Sequence, residues 1–248
     1  MTPIIDGAVH HFRSRGLYDG LSLMGDEETG SLWNHITGKS VYGPLQGTSL
    51  PVYNLLHTNV EQVLKVHPDI DVAISERPVR GRGGMMAPGS GRTRQLRPGF
   101  LATIMEEDTR RPTMEIGLGI WSGSTARYYP MELLRDAGNA VVDTLAGRTV
   151  VVYFEPESYT LAALYANASA ATFTDAGLEL GGVGVLRDGV LYGADDLRQE
   201  VERPLQLFTR WYGFALTFPG TTIYESEGGE SGGVESGGSE GSGSSGGS

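Results

Sequence analysis

The sequence predicts an α+β protein that is mainly β: two related strand-rich blocks, each ending in a short helix, plus a disordered acidic Gly/Ser tail. Three observations carry this expectation. Short β-branched and aromatic runs at 4–12, 21–24, 116–128 and 150–154 are bounded by Gly, Asp and Ser, as strands and turns are. Helical patterns are few and short. Residues 225–248 contain only Gly, Ser, Glu and one Val, so they have almost nothing to bury.

Taken in order, residues 1–76 form the first block. Ile4-Ile5-Asp6-Gly7 followed by Ala8-Val9-His10-His11-Phe12 reads as two short strands around an Asp-Gly turn. Leu21–Met24 is another strand, ending at Gly25-Asp26. Asn59 is an N-cap with Gln62 three residues on, and Val60, Val63 and Leu64 share one face of a helix running to Val66. His67-Pro68 ends it, because the residue before Pro leaves the helical region.

Residues 77–99 carry Arg at 77, 80, 82, 92, 94 and 97 and no apolar periodicity, which predicts a loop between blocks. Gly-rich amides with Arg can bind phosphate, but the P-loop ending Gly-Lys-Ser/Thr is missing. Residues 100–224 form the second block. Ile116–Trp121 and Thr125–Tyr128 are strands around Ser122-Gly123-Ser124, and Pro130 opens a helix with Leu133, Leu134 and Ala137 on one face, stopped at Gly138. Val150–Phe154 is a continuous apolar run rich in β-branched and aromatic residues, the mark of a buried strand. A further helix is expected near Pro204, burying Leu205, Phe208, Trp211 and Tyr212.

The blocks end alike. Setting His67-Pro68 over Phe218-Pro219 places Val60 over Trp211, Val63 over Phe214 and Leu64 over Ala215. A diverged internal duplication accounts for this, with a chance match of two helix-Pro-strand segments as the competing account.

Composition excludes several functions. The 248 residues hold 19 Lys+Arg against 30 Asp+Glu, a net charge of −11, of which the tail's Glu residues supply five. Acidity argues against nucleic acid as a partner, since phosphate-backbone affinity needs clustered Lys and Arg. The absence of Cys removes disulfides, thiolate zinc sites, iron–sulfur clusters and cysteine nucleophiles. No window approaches the roughly 20 apolar residues of a membrane span, and Met1–Gly7 lacks the regions of a signal peptide. The chain as written reads as soluble and cytoplasmic, and as extracytoplasmic if its true start lies upstream.

The strongest local pattern is Gly25-Asp26-Glu27-Glu28-Thr29-Gly30-Ser31-Leu32-Trp33-Asn34-His35-Ile36-Thr37-Gly38, followed by Gly43-Pro44-Leu45-Gln46-Gly47-Thr48-Ser49-Leu50. Asp26 can close an Asx turn, Thr29 can support it, Gly30 permits positive φ, and Trp33 follows on a strand. Gly43-Pro44 and Gly47 read as a second turn. Two readings stay open: the pattern builds architecture around a buried Trp33, or it rims a ligand site at Trp33, Asn34 and His35.

This pattern resembles "D-x-x-T-G-S-x-W … G … G-P-L-x-G-T-x-L" of the uncharacterised family called domain of unknown function 3179. Ala126–Leu134 resembles the family's "A-R-A-Y-P-L-x-L-L", and Gly147–Tyr153 its "G-G-x-P-V-V-V-x-Y". In that family the valine-rich strand typically runs into a C-P-x-C-type segment. Here Phe154-Glu155-Pro156-Glu157-Ser158 stands there, so both cysteine positions are replaced. Thr2–Gly7 resembles the family's segment just after its cysteines, so either the true start lies upstream or this member has lost the first pair.

His10 and His11 are adjacent, so in a strand they face opposite sides. His35, His57 and His67 have no H-x-H or H-x-x-x-H spacing, and no acidic partner is evident. Glu27-Glu28 and Glu106-Glu107 read as solvated turn residues. Ser124 and Ser158 lack a nucleophile-elbow context. The expectation is therefore no catalytic, metal or cofactor-binding residues, and a non-catalytic binding or scaffold protein whose partner is a protein or a small molecule. The alternative is a metal- or redox-linked accessory protein or enzyme whose cysteine motif is lost or lies upstream.

Overall fold

A computed structural model describes residues 3–74, 76 and 96–225. Most of the Arg/Gly-rich loop and the tail from residue 226 onward lie outside the described residues. The described residues are mainly β with four short helices.

The first block opens with the expected hairpin, β1 (Ile4–Ile5) and β2 (Ala8–Val9), turned at Asp6-Gly7 with φ of 50° and 81°. Both turn residues at positive φ match the right-handed strand twist. Then β3 (Phe12–Tyr18), β4 (Leu21–Asp26), β5 (Leu32–Asn34) and β6 (Ser40–Tyr42) form a four-stranded antiparallel sheet in chain order. Asp19-Gly20 repeats the hairpin turn between β3 and β4. The β3–β4 register shifts between Ser14 and Leu17, where Gly16 sits at φ +106°.

Helix α1 (Val60–Val66) has the expected cap, the Asn59 side chain accepting the Gln62 N–H. Its face is not the expected one. Val60 and Leu64 are exposed, and the buried side chain is Gln62, which reaches into the second block.

A short helix, α2 (Pro98–Leu101), begins inside the stretch expected as loop, and after it come β7 (Ile116–Ser122), β8 (Thr125–Pro130), α3 (Met131–Asp136), β9 (Ala140–Leu145), β10 (Arg148–Glu155) and β11 (Thr160–Tyr165). Next come β12 (Ala171–Thr174), β13 (Gly177–Leu180), β14 (Gly184–Arg187), β15 (Val190–Tyr192) and β16 (Arg198–Gln199), a meander. The chain returns through β17 (Leu205–Arg210), α4 (Trp211–Thr217) and β18 (Thr222–Ile223) to complete a sheet of order β17-β7-β8-β18. α3 buries Met131 and Leu134 rather than Ala137, which is exposed.

Residues expected to start a helix at Pro204 are strand β17 instead. Leu205–Arg210 pairs in full with β7, from Leu205↔Trp121 to Arg210↔Ile116, and the helix begins only at Trp211. Pro204 suits a strand start, where no ladder N–H is required. The Leu205, Phe208, Trp211 and Tyr212 spacing imitates a helical face across a strand–helix junction.

The sheet β11-β10-β9 is the middle layer, which explains its apolar run. Val150, Val152 and Phe154 pack with Leu118, Ile120, Tyr129 and Leu134 on one side. Val151 and Tyr153 pack on the other with Leu178, Leu180, Leu186 and Leu191 of the meander. A third core joins α4 to β7 and β8 through Trp211, Phe214, Tyr128 and Trp121. Gly119 is required there, because a Cβ at that position would collide with the Phe214 ring. Gly119→Ala is expected to cost about 1–3 kcal/mol through overpacking, measured by urea unfolding at unchanged m.

Residues 3–76 meet the rest of the described chain through polar and apolar contacts, Val52 among the latter. Asn54 donates to the Pro204 carbonyl (2.9 Å) and accepts from the Gln206 N–H (3.1 Å), and His57 lies 5.0 Å from the Phe208 ring centroid. The two block ends share backbone form. α1 and α4 each have seven residues, and their caps, His67 (φ −131°, ψ 73°) and Phe218 (φ −124°, ψ 74°), each precede Pro.

Candidate functional site

The pattern around Asp26 assembles at the end of β4. Asp26 is fully buried and accepts from four groups: the Thr29 N–H (2.8 Å), the Thr29 hydroxyl (2.5 Å), the Trp33 indole N–H (3.3 Å) and His10 Nδ1 (3.2 Å). A carboxylate has about four lone-pair sites, so Asp26 is saturated. Burial pushes its pKa up, but the Thr29 side chain and backbone, Trp33 and His10 outweigh this and lower it to about 2.

The rest of the pattern closes around that carboxylate. Gly30 at φ +73° donates its N–H to the Asp26 carbonyl, and the Asp26 N–H donates to the Ser31 carbonyl. Ser31 is buried, shares a hydrogen bond with the Thr29 hydroxyl (2.7 Å) and accepts from the Leu45 N–H (3.1 Å). Gly43, at φ +99°, lies against Ser31 so closely that a Cβ would meet its backbone. Gly43 also accepts from the Gln46 N–H, and Gly47 donates to Ser40, so the turn carrying exposed Pro44 folds back on the strand.

Of the residues expected as a ligand rim, Trp33 is 1% exposed and packs edge-on against Phe12 at 5.6 Å. Asn34 accepts from the Ile36 and Thr37 N–H groups, an Asx turn ahead of Gly38 at φ +66°. His35 is exposed and bonded at Nδ1 to the Ser22 carbonyl (2.8 Å).

The sequence places His10 and His11 on opposite sides of a strand and assigns them no partner, and the structure sets each beside a carboxylate. His10 is buried beside Asp26, with Nδ1 3.9 Å from a Glu28 oxygen. His11 donates its backbone N–H to Glu28 (2.8 Å), and its Nδ1 lies 2.7 Å from the other Glu28 oxygen. The Glu28 hydrogen bond raises the His11 pKa, and the His11 side chain lowers that of Glu28. Glu27 pairs with Arg13. The acidic pair is therefore engaged, since the shifted β3–β4 register sets Phe12 opposite Asp26 and carries His10 and His11 alongside residues 26–28.

A second polar cluster occupies the positions that the resemblance assigns to cysteine. Ser158 donates to Glu155, Gln62 of α1 donates to the same carboxylate oxygen, and Ser158 shares a hydrogen bond with Thr160 (2.7 Å). Gln62, Ser158 and Thr160 are buried. Beside them lies a cavity of about 50 Å³ reaching Lys65 and Asp188, far below the ~300–1,000 Å³ of sites for organic ligands. A wider, shallow groove of about 390 Å³ runs along Glu132, Arg135, Asp136 and Phe154, and it gathers no nucleophile, imidazole or convergent acid–base pair.

No helix among the described residues is long and apolar enough to cross a membrane. Comparison with curated proteins and with solved structures returns no match. The sequence model of the family described as Protein of unknown function (DUF3179) matches residues 2–218, nearly the whole chain outside the tail, and the chain belongs to that family.

Proposed function

We propose that the chain is a non-catalytic binding or scaffold protein, with the Asp26–Trp33 pattern serving as architecture. The observation that carries this reading is the saturation of Asp26 by four donors above a buried Trp33: the most distinctive residues in the sequence are spent on one another. The same block exposes large apolar side chains, among them Ile4, Val9, Leu17, Tyr18, Val41 and Tyr42 on its strands. Exposed apolar side chains on these strands suit contact with a protein partner. Glu155 and Ser158 offer a carboxylate and a hydroxyl where redox chemistry would need thiols. The matching ends at α1 and α4 support descent of the two blocks from one duplicated unit.

A photo-crosslinking side chain placed at Tyr18 or Tyr42 tests the reading. Both positions are expected to capture the same partner saturably in extracts of the source cells, while the equally exposed Leu197 of the second block does not. Equal capture from all three positions, or none from the first block, would overturn it.

A further inference from the structure

Asp26 is a buried carboxylate that, among the described residues, pairs with neither Lys nor Arg. Among the described residues, His10 is the one basic group within ion-pair distance.

Three ligand atoms converge at that place. His10 Nδ1 stands 3.2 Å from Asp26 Oδ1 and 3.9 Å from Glu28 Oε2, and ligand atoms of all three residues lie within 4.8 Å of one another. Zinc bound tetrahedrally at about 2.0–2.2 Å sets its ligand atoms roughly 3.4 Å apart, so the trio closes on an ion with small shifts. We propose that His10, Asp26 and Glu28 form a site for a divalent cation of the zinc class, with water completing its coordination. One imidazole and two carboxylates suit such a borderline ion, whereas calcium takes six to eight oxygen ligands.

The frame around Asp26 survives binding. Thr29 N–H remains on Oδ1, while the Thr29 hydroxyl and the Trp33 indole remain on Oδ2, so the ion takes only the place of the His10 N–H. His10 gives its Nδ1 lone pair, and the proton there moves to Nε2 of the neutral ring or, from an imidazolium, leaves to solvent. His11 orients Glu28 through both carboxylate oxygens, a role that hydrogen-bonded partners play for many metal ligands. Glu28 lies at the surface and provides the route of entry. The ion would tie the β2–β3 link to the loop after β4, independently of the docking surface on the strands.

Calorimetric titration of the full chain with Zn²⁺, after removal of bound metal by chelator, tests the site. One equivalent is expected to bind and to change the Trp33 fluorescence, because the indole shares the Asp26 carboxylate. Glu28→Gln, a surface change that leaves the Asp26 frame intact, should weaken binding at least tenfold. His10→Ala should abolish it, and His35→Ala should leave it unchanged. Failure to bind one equivalent, or equal binding by wild type and a folded Glu28→Gln variant, would overturn the proposal. Loss of binding in His35→Ala would overturn it too, by moving the site elsewhere.

Discussion

Trp33→Ala is expected to cost about 3–5 kcal/mol, the range for emptying a large buried aromatic site. Trp33 is 1% exposed, packs edge-on against Phe12 and donates its indole N–H to Asp26. Truncation therefore removes apolar burial, an aromatic contact and one of four donors to a buried carboxylate. The sheet β3-β4-β5-β6 has few other large buried side chains to absorb the loss. Urea unfolding followed by circular dichroism measures the effect, with Trp33→Phe as comparison: Phe restores part of the burial but not the N–H. A loss under about 1 kcal/mol for Trp33→Ala, together with a folded protein that fails to bind a partner, would instead place Trp33 at a ligand surface.

How much of the fold and the site is legible in the sequence depends on the range of the interaction. Local signals read true: the Asp6-Gly7 turn, the Asn59 cap, the stop at His67-Pro68 and the buried Val150–Phe154 strand all arise within a few residues. The same Asp-Gly signal at 19–20 and 188–189 marks two further hairpins and could have located β3–β4 and β14–β15. β17 is not legible as a strand because its apolar spacing fits a helix, and only pairing with β7, more than 80 residues away, decides for a strand. His10 and Asp26 are 16 residues apart. A plain two-residue hairpin at Asp19-Gly20 would have set Phe12 opposite Glu27. The bulge at Gly16 shifts the register by one and sets it opposite Asp26, which brings His10 to that carboxylate. A lone glycine in a strand hints at a bulge without fixing its direction.

Asp26→Asn should make the electrostatics of this site measurable. Asn offers one acceptor oxygen and an NH2 group where four donors converge, so at neutral pH the substitution is expected to cost about 2–4 kcal/mol. That cost should depend on pH, because the folded-state pKa of Asp26 is lowered from 3.8 to about 2. A depressed carboxyl pKa contributes stability that is fully present above the unfolded value and is lost as pH falls through the folded one. The window thus runs from about pH 4 down to about pH 2, and across it the gap between wild type and Asp26→Asn should narrow by about 2 kcal/mol. Taking the difference between the two proteins cancels the titration of the other carboxyls. Urea unfolding at intervals through the window gives the curve, and the carboxyl-carbon NMR shift of Asp26 should titrate with a midpoint near 2. A gap that stays constant from pH 7 to pH 2 would mean that the four donors do not hold the ionised form, and that Asp26 fills its place by shape alone.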